Sequence, residues 1–347
     1  MIHIDGSRGE GGGQVLRSAV TLSMATGRPL RIERIRAGRR RPGLRRQHLT
    51  AVAAAAEVCA ARVAGLDIGS TRLDFAPGRV RPGDYRFAVG SAGSATLVLQ
   101  TVLLPLCTAA GPSSLRLEGG THNPWAPPVD FLQRVFLPLL ARMGPRVAIE
   151  LERPGFYPAG GGRFSVRIEP VAALRGMDLL QRGRLLERRV RALCARLPRH
   201  IGEREVRRLA QRLDLPEEAT AVEQVADSAG PGNIVMLELR YERVSELFCG
   251  FGRKGVPAER VADEALEQAA AYLAGEVPVG PYLADQLMLP MALAGRGRYR
   301  SLPLTGHAHT QLDVIGRFLD LDVRLTEPED GQALVEFGPG QPAAQTR

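Results

Sequence analysis

The chain has 347 residues, of which 44% are hydrophobic and 24% charged, a composition typical of a globular protein with a large core. Its formal net charge of +9 favours a polyanionic partner such as RNA or a nucleotide. Lys254 is the only lysine, and it lies in "GRKGVP". The sequence therefore contains neither a Walker A motif nor the Lys-x-Asp-Gly motif of the lysine nucleotidyl transferases.

The cysteines and the apolar runs argue against zinc-knuckle, disulfide-framework and membrane-spanning classes. The 4 cysteines are widely spaced and include no Cys-x-x-Cys pair. The longest apolar run, "TLVLQTVLLPLCTAA", is interrupted by Gln100 and Pro105 and is shorter than the roughly 20 residues of a bilayer span. The first residues do not resemble a signal peptide. We expect a cytoplasmic protein with no membrane partner.

Three segments share one plan, an apolar helix that is entered through glycines and closed by a glycine. The closing residues are Gly27, Gly111 and Gly295. The segments read "EGGGQVLRSAVTLSMATG", "GSAGSATLVLQTVLLPLCTAAG" and "VGPYLADQLMLPMALAG".

Each of these helices is followed by a strand, a glycine-containing turn and a second, amphipathic helix. The predicted strands are "RPLRIERI", "SSLRLE" and "YRSLPL", and the turns contain Gly38, Gly120 and Gly306. The second helices are "LRRQHLTAVAAAAEVCA", "PVDFLQRVFLPLLARM" and "TQLDVIGRFLDL". Self-similarity of this kind indicates repeated β-α units that share a core, although alternating helices and strands are also common to α/β proteins in general.

The third repeat is displaced along the chain by an insertion. Gly27 and Gly111 are 84 residues apart, whereas Gly111 and Gly295 are 184 residues apart. The extra residues, 182–276, read as strand, helix, strand, strand, helix, which is a small α/β unit. We therefore predict an α/β (α+β) fold of three repeated β-α units, with a catalytic repeat domain at 1–181 and 277–340 and a smaller inserted domain at 182–276.

The stretch "DGSRGEGGGQVLRS" places a run of glycines before the first helix. Such a run lets backbone N–H groups approach an anion, and the helix dipole adds to the attraction. Glu10 lies within the run, and a carboxylate is compatible with a phosphate there only through a bridging divalent cation. A flexible turn is an equally good interpretation of the glycines.

Two further stretches have compositions that suit phosphate and base recognition. In "IRAGRRRPGLRRQHL", Arg36 and Arg39 flank the turn glycine, and guanidinium groups bind phosphates well. A solvated basic face is the alternative. In "GGTHNPWAPPVDF", the single tryptophan, Trp125, lies among prolines that either sandwich a base or brace a turn. Asp285 starts a predicted helix, where it orients a histidine, holds a metal-bound nucleotide or compensates the helix dipole.

The stretch "GHAHTQ" contains two histidines that point about 200° apart if the segment is helical, so they do not chelate one metal ion. His309 falls on the polar side with Asp313 four residues on, as a surface residue would. His307 falls at the helix start, at the edge of the apolar face. A neutral imidazole there is able to attack phosphorus, although a structural role is the alternative.

Seven segments, in order, resemble the RNA 3′-terminal phosphate cyclase family, and the resemblance covers essentially residues 1–326. They read "DGSRGEGGGQVLRSAV", "IRAGRRRPGLRRQHLTAV", "GSAGSATLVLQTVLLP", "GGTHNPWAPPVDF", "GFYPAGGG", "GPGN" and "YLADQLMLPMALAG". The resemblance implies ATP-dependent conversion of an RNA 3′-terminal phosphate into a 2′,3′-cyclic phosphodiester. It also implies a covalent histidine-AMP and an RNA-adenylate as intermediates, with AMP and diphosphate released.

The resemblance also implies roles for individual residues. His307, with Thr310, matches the family's His-x-x-Thr segment and would be the catalytic nucleophile. Glu10 matches a carboxylate associated with a divalent metal, Mg or Mn. The residues that match the phosphate and RNA surface are Arg17, Arg36, Arg39 and Gln47. Those that match the ATP site are Gln100, Pro127, Tyr282, Leu283, Ala284, Asp285 and Gln286, with Pro127 and Tyr282 enclosing the adenine and Asp285 near His307.

Two other functions fit parts of this pattern. A non-catalytic cyclase-like RNA-binding factor in ribosome biogenesis would share the fold but is expected to lack the nucleophile. An enolpyruvyl transferase built on related repeats would need a site rich in lysine as well as arginine, and this chain has a single lysine. We therefore expect an enzyme whose partners are RNA 3′-phosphate ends and ATP.

Overall fold

The computed structural model describes residues 1–9, 12–327 and 331–340. These residues form four mixed four-stranded sheets with helices packed on them, which confirms the predicted α/β fold class. Within the described ranges, no helix is both long enough and apolar enough to cross a membrane.

The first repeat forms a sheet of four strands covered by two helices. Its elements are β1 (Ile2–Asp5), α1 (Gly13–Thr26), β2 (Leu30–Glu33), α2 (Arg46–Cys59), β3 (Arg62–Ala64) and β4 (Leu73–Ala76). Strands β1 and β2 pair in parallel because α1 crosses between them, and the other pairs are antiparallel. The strand order is β1-β2-β4-β3.

The second repeat follows the same plan. Its elements are β5 (Asp84–Ala88), α3 (Ala95–Cys107), β6 (Ser113–Gly119), α4 (Val129–Phe131), a π-helical turn (Leu132–Phe136), α5 (Leu137–Arg142), β7 (Arg146–Arg153) and β8 (Gly162–Glu169). Its sheet has the order β5-β6-β8-β7, with β5 and β6 parallel. The π-helical turn interrupts the predicted single helix just before Pro138, whose missing N–H breaks the regular ladder of hydrogen bonds.

After β9 (Asp178–Leu179) the chain leaves the repeats and builds a separate sheet. The elements are β10 (Leu185–Ala195), α6 (Arg199–Leu213), a 3-10 turn (Glu217–Ala219), β11 (Thr220–Val225), β12 (Gly232–Tyr241), β13 (Ser245–Phe251) and α7 (Ala258–Gly275). The sheet order is β11-β10-β12-β13. The edge strand β11 was not predicted, because its sequence, "TAVEQV", is short and half-exposed.

The third repeat then resumes with α8 (Pro281–Ala294), β14 (Gly297–Ser301), α9 (Gly306–Phe318), β15 (Leu321–Thr326) and β16 (Ala333–Pro339). Its sheet has the order β15-β16-β14-β9, and β9 pairs in parallel with β14. Counted from the first strand of each repeat, all three sheets therefore have the same order. The insertion interrupts the third repeat between its first strand and its first helix.

We propose that residues 182–276 form a domain of their own, inserted into a repeat domain at 1–181 and 277–340. Two facts support this division. Among the described residues, the strands β10 to β13 pair only with one another, and α6 and α7 pack on that sheet. Side chains then join it to the repeats, as where Arg134 donates from Nη1 to Glu238 Oε2 at 2.8 Å.

The core lies where helices of the repeats meet, since α1 packs against α2, α3 and α9. Helix α3 is apolar on every side and is correspondingly buried on every side. Gln100 is the only residue of α3 that is not buried. One polar side chain in an otherwise buried helix indicates a position that faces a cavity rather than the core.

The glycine that was predicted to close α3 does not do so. Gly27 and Gly295 end their helices in the left-handed conformation, each with φ of 68°. Helix α3 instead ends at Cys107, and Thr108 follows it with φ of −121°. The Thr108 hydroxyl donates to the Pro105 carbonyl at 3.3 Å, which satisfies the helix end without a left-handed residue.

Helix α9 begins at Gly306, which agrees with the expected position of His307 at a helix start and lies four residues before the quoted segment "TQLDVIGRFLDL". The side chain of Thr305 caps it by accepting a hydrogen bond from the Ala308 N–H at 3.1 Å. Both histidines of the "GHAHTQ" stretch therefore lie in the first turn of the helix.

Gly43→Ala is expected to lower the free energy of unfolding by about 1–3 kcal/mol, because φ is +72° there and an added Cβ would lie 2.1 Å from the Gly69 carbonyl oxygen. Gly38 lies in the same arginine-rich loop with open space at its Cβ position. Gly38→Ala is therefore the matched control, expected to change stability by less than about 0.5 kcal/mol. Urea titration of both variants measures the difference, and equal midpoints would contradict this account of the loop.

Candidate active site

A cavity of about 820 Å³ lies between the repeats and the inserted sheet, within the size range of small-molecule sites. Its walls come from α1, α2, α3, α8 and α9 of the repeats, from the turn 124–128, and from β13 and α7 of the insertion. The first turns of α1, α2, α8 and α9 all line it. Helix N-termini carry partial positive charge and unsatisfied N–H groups, so their convergence favours an anionic ligand.

Most of the predicted site residues lie on this cavity, although they come from distant parts of the chain. The predicted residues that line it are Arg17, Arg36, Arg39, Gln47, Gln100, Pro127, Tyr282, Asp285, Gln286 and His307. Leu283 and Ala284 are placed differently. Both side chains are fully buried on the core side of α8, and the Ala284 carbonyl accepts a hydrogen bond from the Tyr299 hydroxyl at 3.1 Å. Glu10 lies outside the described residues.

His307 lies in the first turn of α9, partly exposed to the cavity, with its Nδ1 atom buried. The cap of that turn is tied to α8, because the Thr305 hydroxyl donates to Asp285 Oδ1 at 3.0 Å. His307 and Asp285 thus reach the same cavity from two helices whose starts are hydrogen-bonded to each other. This link fixes where the imidazole stands relative to α8.

His309 is exposed, as predicted, but its acidic neighbour is not the predicted one. Its Nε2 atom lies 3.8 Å from Glu327 Oε1, beyond the end of β15, and among the ion pairs of the described residues none joins His309 to Asp313. The helix wheel placed His309 correctly on the surface. It missed Glu327, since a wheel includes only residues of its own helix.

The glycine turn before α1 packs closely on α9. Gly9 has φ of +58°, and an added Cβ would lie 2.1 Å from the Thr310 hydroxyl oxygen. The Thr310 hydroxyl in turn donates to the Gly306 carbonyl at 2.7 Å. Only glycine allows the turn to approach the histidine helix this closely.

Arginines form the positive wall of the cavity. Desolvation lowers the pKa of Arg17 to about 10, which still leaves it protonated at neutral pH. Arg36 holds a left-handed backbone with φ of 55°, and its Nη1 atom donates to the Arg41 and Gly43 carbonyls at 3.0 and 2.8 Å. A non-glycine residue in that conformation costs roughly 1–3 kcal/mol, which is common at functional sites.

His48 also lines this wall, although the sequence did not single it out. Burial, helped by the neighbouring charges of Arg17, Arg36 and Arg45, lowers the pKa of His48 to about 3, so the ring is neutral. Its Nδ1 atom accepts from the Arg45 N–H at 3.0 Å, which leaves the proton on Nε2. The wall therefore combines permanent positive charge with a neutral N–H donor, an arrangement suited to phosphate oxygens.

Glutamine side chains form hydrogen bonds between helices at the cavity. Gln100 of α3 donates from Nε2 to Gln286 of α8, and Gln14 of α1 donates to Gln311 of α9. Gln47 of α2 accepts from the Ser94 N–H at 3.1 Å. Gln14 and Gln311 were missed in the sequence, because a single glutamine on a helix carries no pattern that indicates a site.

The inserted sheet supplies the remaining wall, which the sequence did not predict. Leu247 and Phe251 of β13 are apolar there, and Arg253 is paired with Glu264 of α7 at the same face. Nothing in the sequence indicates which face of the insertion packs on the repeats. These residues therefore become visible as site residues only in the folded protein.

Glu246 of β13 joins the inserted sheet to α8. It is buried, and its Oε1 atom accepts from the N–H of Gly280, the residue that caps α8, at 2.5 Å. Burial raises the pKa of Glu246 to about 8. A carboxyl group from the insertion thus holds the first turn of the helix that carries Tyr282 and Asp285.

A family model described as RNA 3′-terminal phosphate cyclase matches residues 8–325. The RNA 3′-terminal phosphate cyclase of Koribacter versatilis (strain Ellin345) is 52% identical over 330 residues, which cover 95% of this chain and 93% of that relative. The RNA 3′-terminal phosphate cyclase of Pseudomonas fluorescens is 52% identical over 323 residues, which cover 93% and 94%. Alignments of this extent take in the repeats and the insertion together.

Glu246→Gln is expected to flatten the pH dependence of stability. The Glu246 carboxyl keeps its proton in the folded protein up to about pH 8, whereas its ordinary pKa is 4.5. Between these values the folded state binds more protons than the unfolded state, so the free energy of unfolding falls as the pH rises through this window. Glutamine does not titrate and keeps an oxygen acceptor for the Gly280 N–H.

Urea titrations at about pH 5, 6.5 and 8 measure this effect. The loss of stability from the lowest to the highest pH should be smaller in Glu246→Gln than in the wild type. Glu218→Gln, a change at an exposed position, is the control and should follow the wild-type profile. Parallel profiles for Glu246→Gln and the wild type would show that the carboxyl titrates normally in the folded protein.

Proposed function

Since the chain belongs to the RNA 3′-terminal phosphate cyclase family of ATP-dependent enzymes, we propose that it converts an RNA 3′-terminal phosphate to a 2′,3′-cyclic phosphodiester through an adenylated His307. The observation that carries the proposal is that His307 shares one cavity with Arg17, Arg36 and Arg39. A nucleophile facing a wall of permanent cations is the arrangement that nucleotidyl transfer from ATP requires.

In the first step, the lone pair of His307 Nε2 attacks the α-phosphorus of ATP. The bond to the β-phosphate oxygen breaks, and diphosphate leaves. We assign the attack to Nε2 because Nδ1 is buried, and the ring proton then resides on Nδ1. The link from Asp285 through Thr305 to the start of α9 would keep the imidazole in position during the attack.

In the second step, an oxygen of the RNA 3′-phosphate attacks the same phosphorus, and the bond from phosphorus to His307 breaks. The RNA end then carries AMP in a phosphoanhydride. In the third step, the neighbouring 2′-hydroxyl oxygen attacks the 3′-phosphorus, AMP departs, and the hydroxyl proton passes to solvent. The attack is intramolecular, so most of its entropic cost is already met and only the leaving group had to be supplied.

The nucleotide would occupy the part of the cavity between α3 and α8. Pro127 and Tyr282 would enclose the adenine, and the paired amides of Gln100 and Gln286 lie on the same wall. Leu283 and Ala284 would support this site from the core, through packing rather than contact with ATP. The arginines, with Gln47, would bind the triphosphate and the RNA 3′-phosphate.

A divalent cation, Mg or Mn, would assist this chemistry by neutralising the departing diphosphate. Within the described ranges, no group of three His, Cys, Asp or Glu side chains is arranged to hold a metal ion. Magnesium sites are commonly built from one or two carboxylates together with substrate phosphates, and the cavity offers the carboxylate of Asp285 for such a set. Glu10, which lies outside the described residues, would supply the other carboxylate.

His307→Ala is expected to abolish covalent labelling of the protein by ATP that carries the label on its α-phosphorus, a loss of more than about 1000-fold, because the nucleophile is gone. His309→Ala is the matched control from the same helical turn, and its labelling should stay within about twofold of wild type. Labelling that survives in His307→Ala but disappears in His309→Ala would assign the chemistry to the other histidine. Absence of labelling in the wild type would instead favour a non-catalytic RNA-binding role.

An RNA that ends in a 2′-deoxynucleotide 3′-phosphate is expected to accept AMP but not to cyclise, because the attacking hydroxyl is missing. The RNA-adenylate should then accumulate and be visible on a gel as a product one nucleotide longer. The matched control is the same RNA with a 2′-hydroxyl, which should yield the cyclic end. Cyclisation of the RNA with a 2′-hydroxyl, with no adenylate formed on the 2′-deoxy RNA, would contradict the proposed order of steps.

A further inference from the structure

Trp125 lines the cavity but has no part in the proposed chemistry. It is the only tryptophan of the chain, it lines the cavity, and 83% of its surface is exposed. An indole that is left this open at the rim of a site provides a flat aromatic face on which a base can stack.

The turn that carries Trp125 is rigid on the side facing away from the cavity. The buried His122 ring lies between the Thr121 hydroxyl, 2.7 Å from Nδ1, and Asp130 Oδ2, 2.9 Å from Nε2. Burial, with the nearby charge of Arg191, lowers the pKa of His122 to about 3, so the ring is neutral and donates from Nε2. These bonds hold the chain on both sides of Trp125, so little backbone reordering is needed for a base to stack on the indole.

The same turn is joined to the proposed RNA wall. Asn123 Nδ2 donates to the Ala92 carbonyl at 2.8 Å, and the Thr96 hydroxyl donates to the Pro127 carbonyl at 2.8 Å. Two residues along from Ala92, the Ser94 N–H donates to Gln47 at the start of α2. The turn that carries Trp125 is therefore bonded to residues 92–96, and Ser94 of that segment is bonded to the first turn of α2, where the arginine-rich loop ends.

Of the two exposed aromatic side chains on the cavity, Trp125 is the more open, at 83% against 55% for Tyr282. ATP is small, and a ligand of its size is normally enclosed by its pocket, as Pro127 and Tyr282 would enclose the adenine. An RNA chain reacts only at its end, so the rest of the molecule must leave the cavity past an exposed rim. Trp125 presents an aromatic face at that rim.

We infer that Trp125 is a stacking platform for the terminal base of the RNA, adjacent to the 3′-phosphate that the arginines bind. The inference rests on the proposed function. Every base has a π-face, so this platform holds RNA ends of any sequence and aligns the terminal ribose without reading its base.

Intrinsic fluorescence tests the inference directly, since the single tryptophan reports from one place. An RNA with a 3′-phosphate, added without ATP so that no turnover occurs, should quench the emission of Trp125 in a saturable manner. ATP without RNA should leave the emission unchanged. Quenching by ATP and not by RNA would assign the indole to the adenine, and an unchanged emission with both ligands would also overturn the inference.

Steady-state kinetics provide a second test of the role of Trp125. Trp125→Ala should raise KM for the RNA about tenfold, as expected for the loss of one base–aromatic stack, while the rate of covalent labelling by ATP stays at the wild-type value. Trp125→Phe keeps an aromatic face and should remain within about threefold of the wild-type KM. Normal labelling of Trp125→Ala together with an unchanged KM for RNA would overturn the stacking platform and leave the adenylation of His307 intact.

Discussion

The site depends on the burial of apolar helices from the three repeats in one shared core. Helix α3 is buried on almost every side, and α1 lies against α2, α3 and α9. Helices that are packed in this way present their first turns to a single cavity. Because each first turn carries unsatisfied N–H groups and partial positive charge, the core packing itself favours an anionic ligand in the cavity. The arginines add to the positive electrostatic potential that the helix N-termini produce in the cavity.

The inserted sheet has two physical effects on that site. It supplies an apolar wall through Leu247 and Phe251, and it holds the elements on either side of the cavity. Arg191 of β10 forms an ion pair with Asp130, which follows the turn that carries Trp125. Glu246 of β13 accepts a hydrogen bond from the N–H of Gly280, the residue that caps α8. A carboxyl that caps a helix from a neighbouring sheet is costly to bury, which is why its pKa is raised. The insertion thus connects the second repeat to the third across the site.

The fold class was readable from the sequence because the three repeats share a period of helix, strand and turn. The spacing between the second and third repeats predicted an insertion there, and the separate pairing of strands β10 to β13 supports that prediction. Features that depend on one hydrogen bond were not readable: Thr108 ends α3 in place of Gly111, and the Thr305 hydroxyl caps α9. The candidate site residues were predicted from the resemblance of this chain's motifs to those of the cyclase family. Contacts between distant elements, such as Gln14 with Gln311 or Glu246 with Gly280, leave no periodic signal in the chain.

The position of the insertion also bears on how the protein is made. Strand β9 pairs with β14 across 120 residues, so the third repeat stays open until the insertion has been synthesised. The first two repeats contain only shorter-range pairings and are able to fold while the chain is still emerging. Helix α9 is among the last elements to leave the ribosome, and only then does Arg28 of the first repeat reach the Phe318 carbonyl at its end. The arginine wall of the cavity is therefore assembled early, and the helix that carries His307 arrives last.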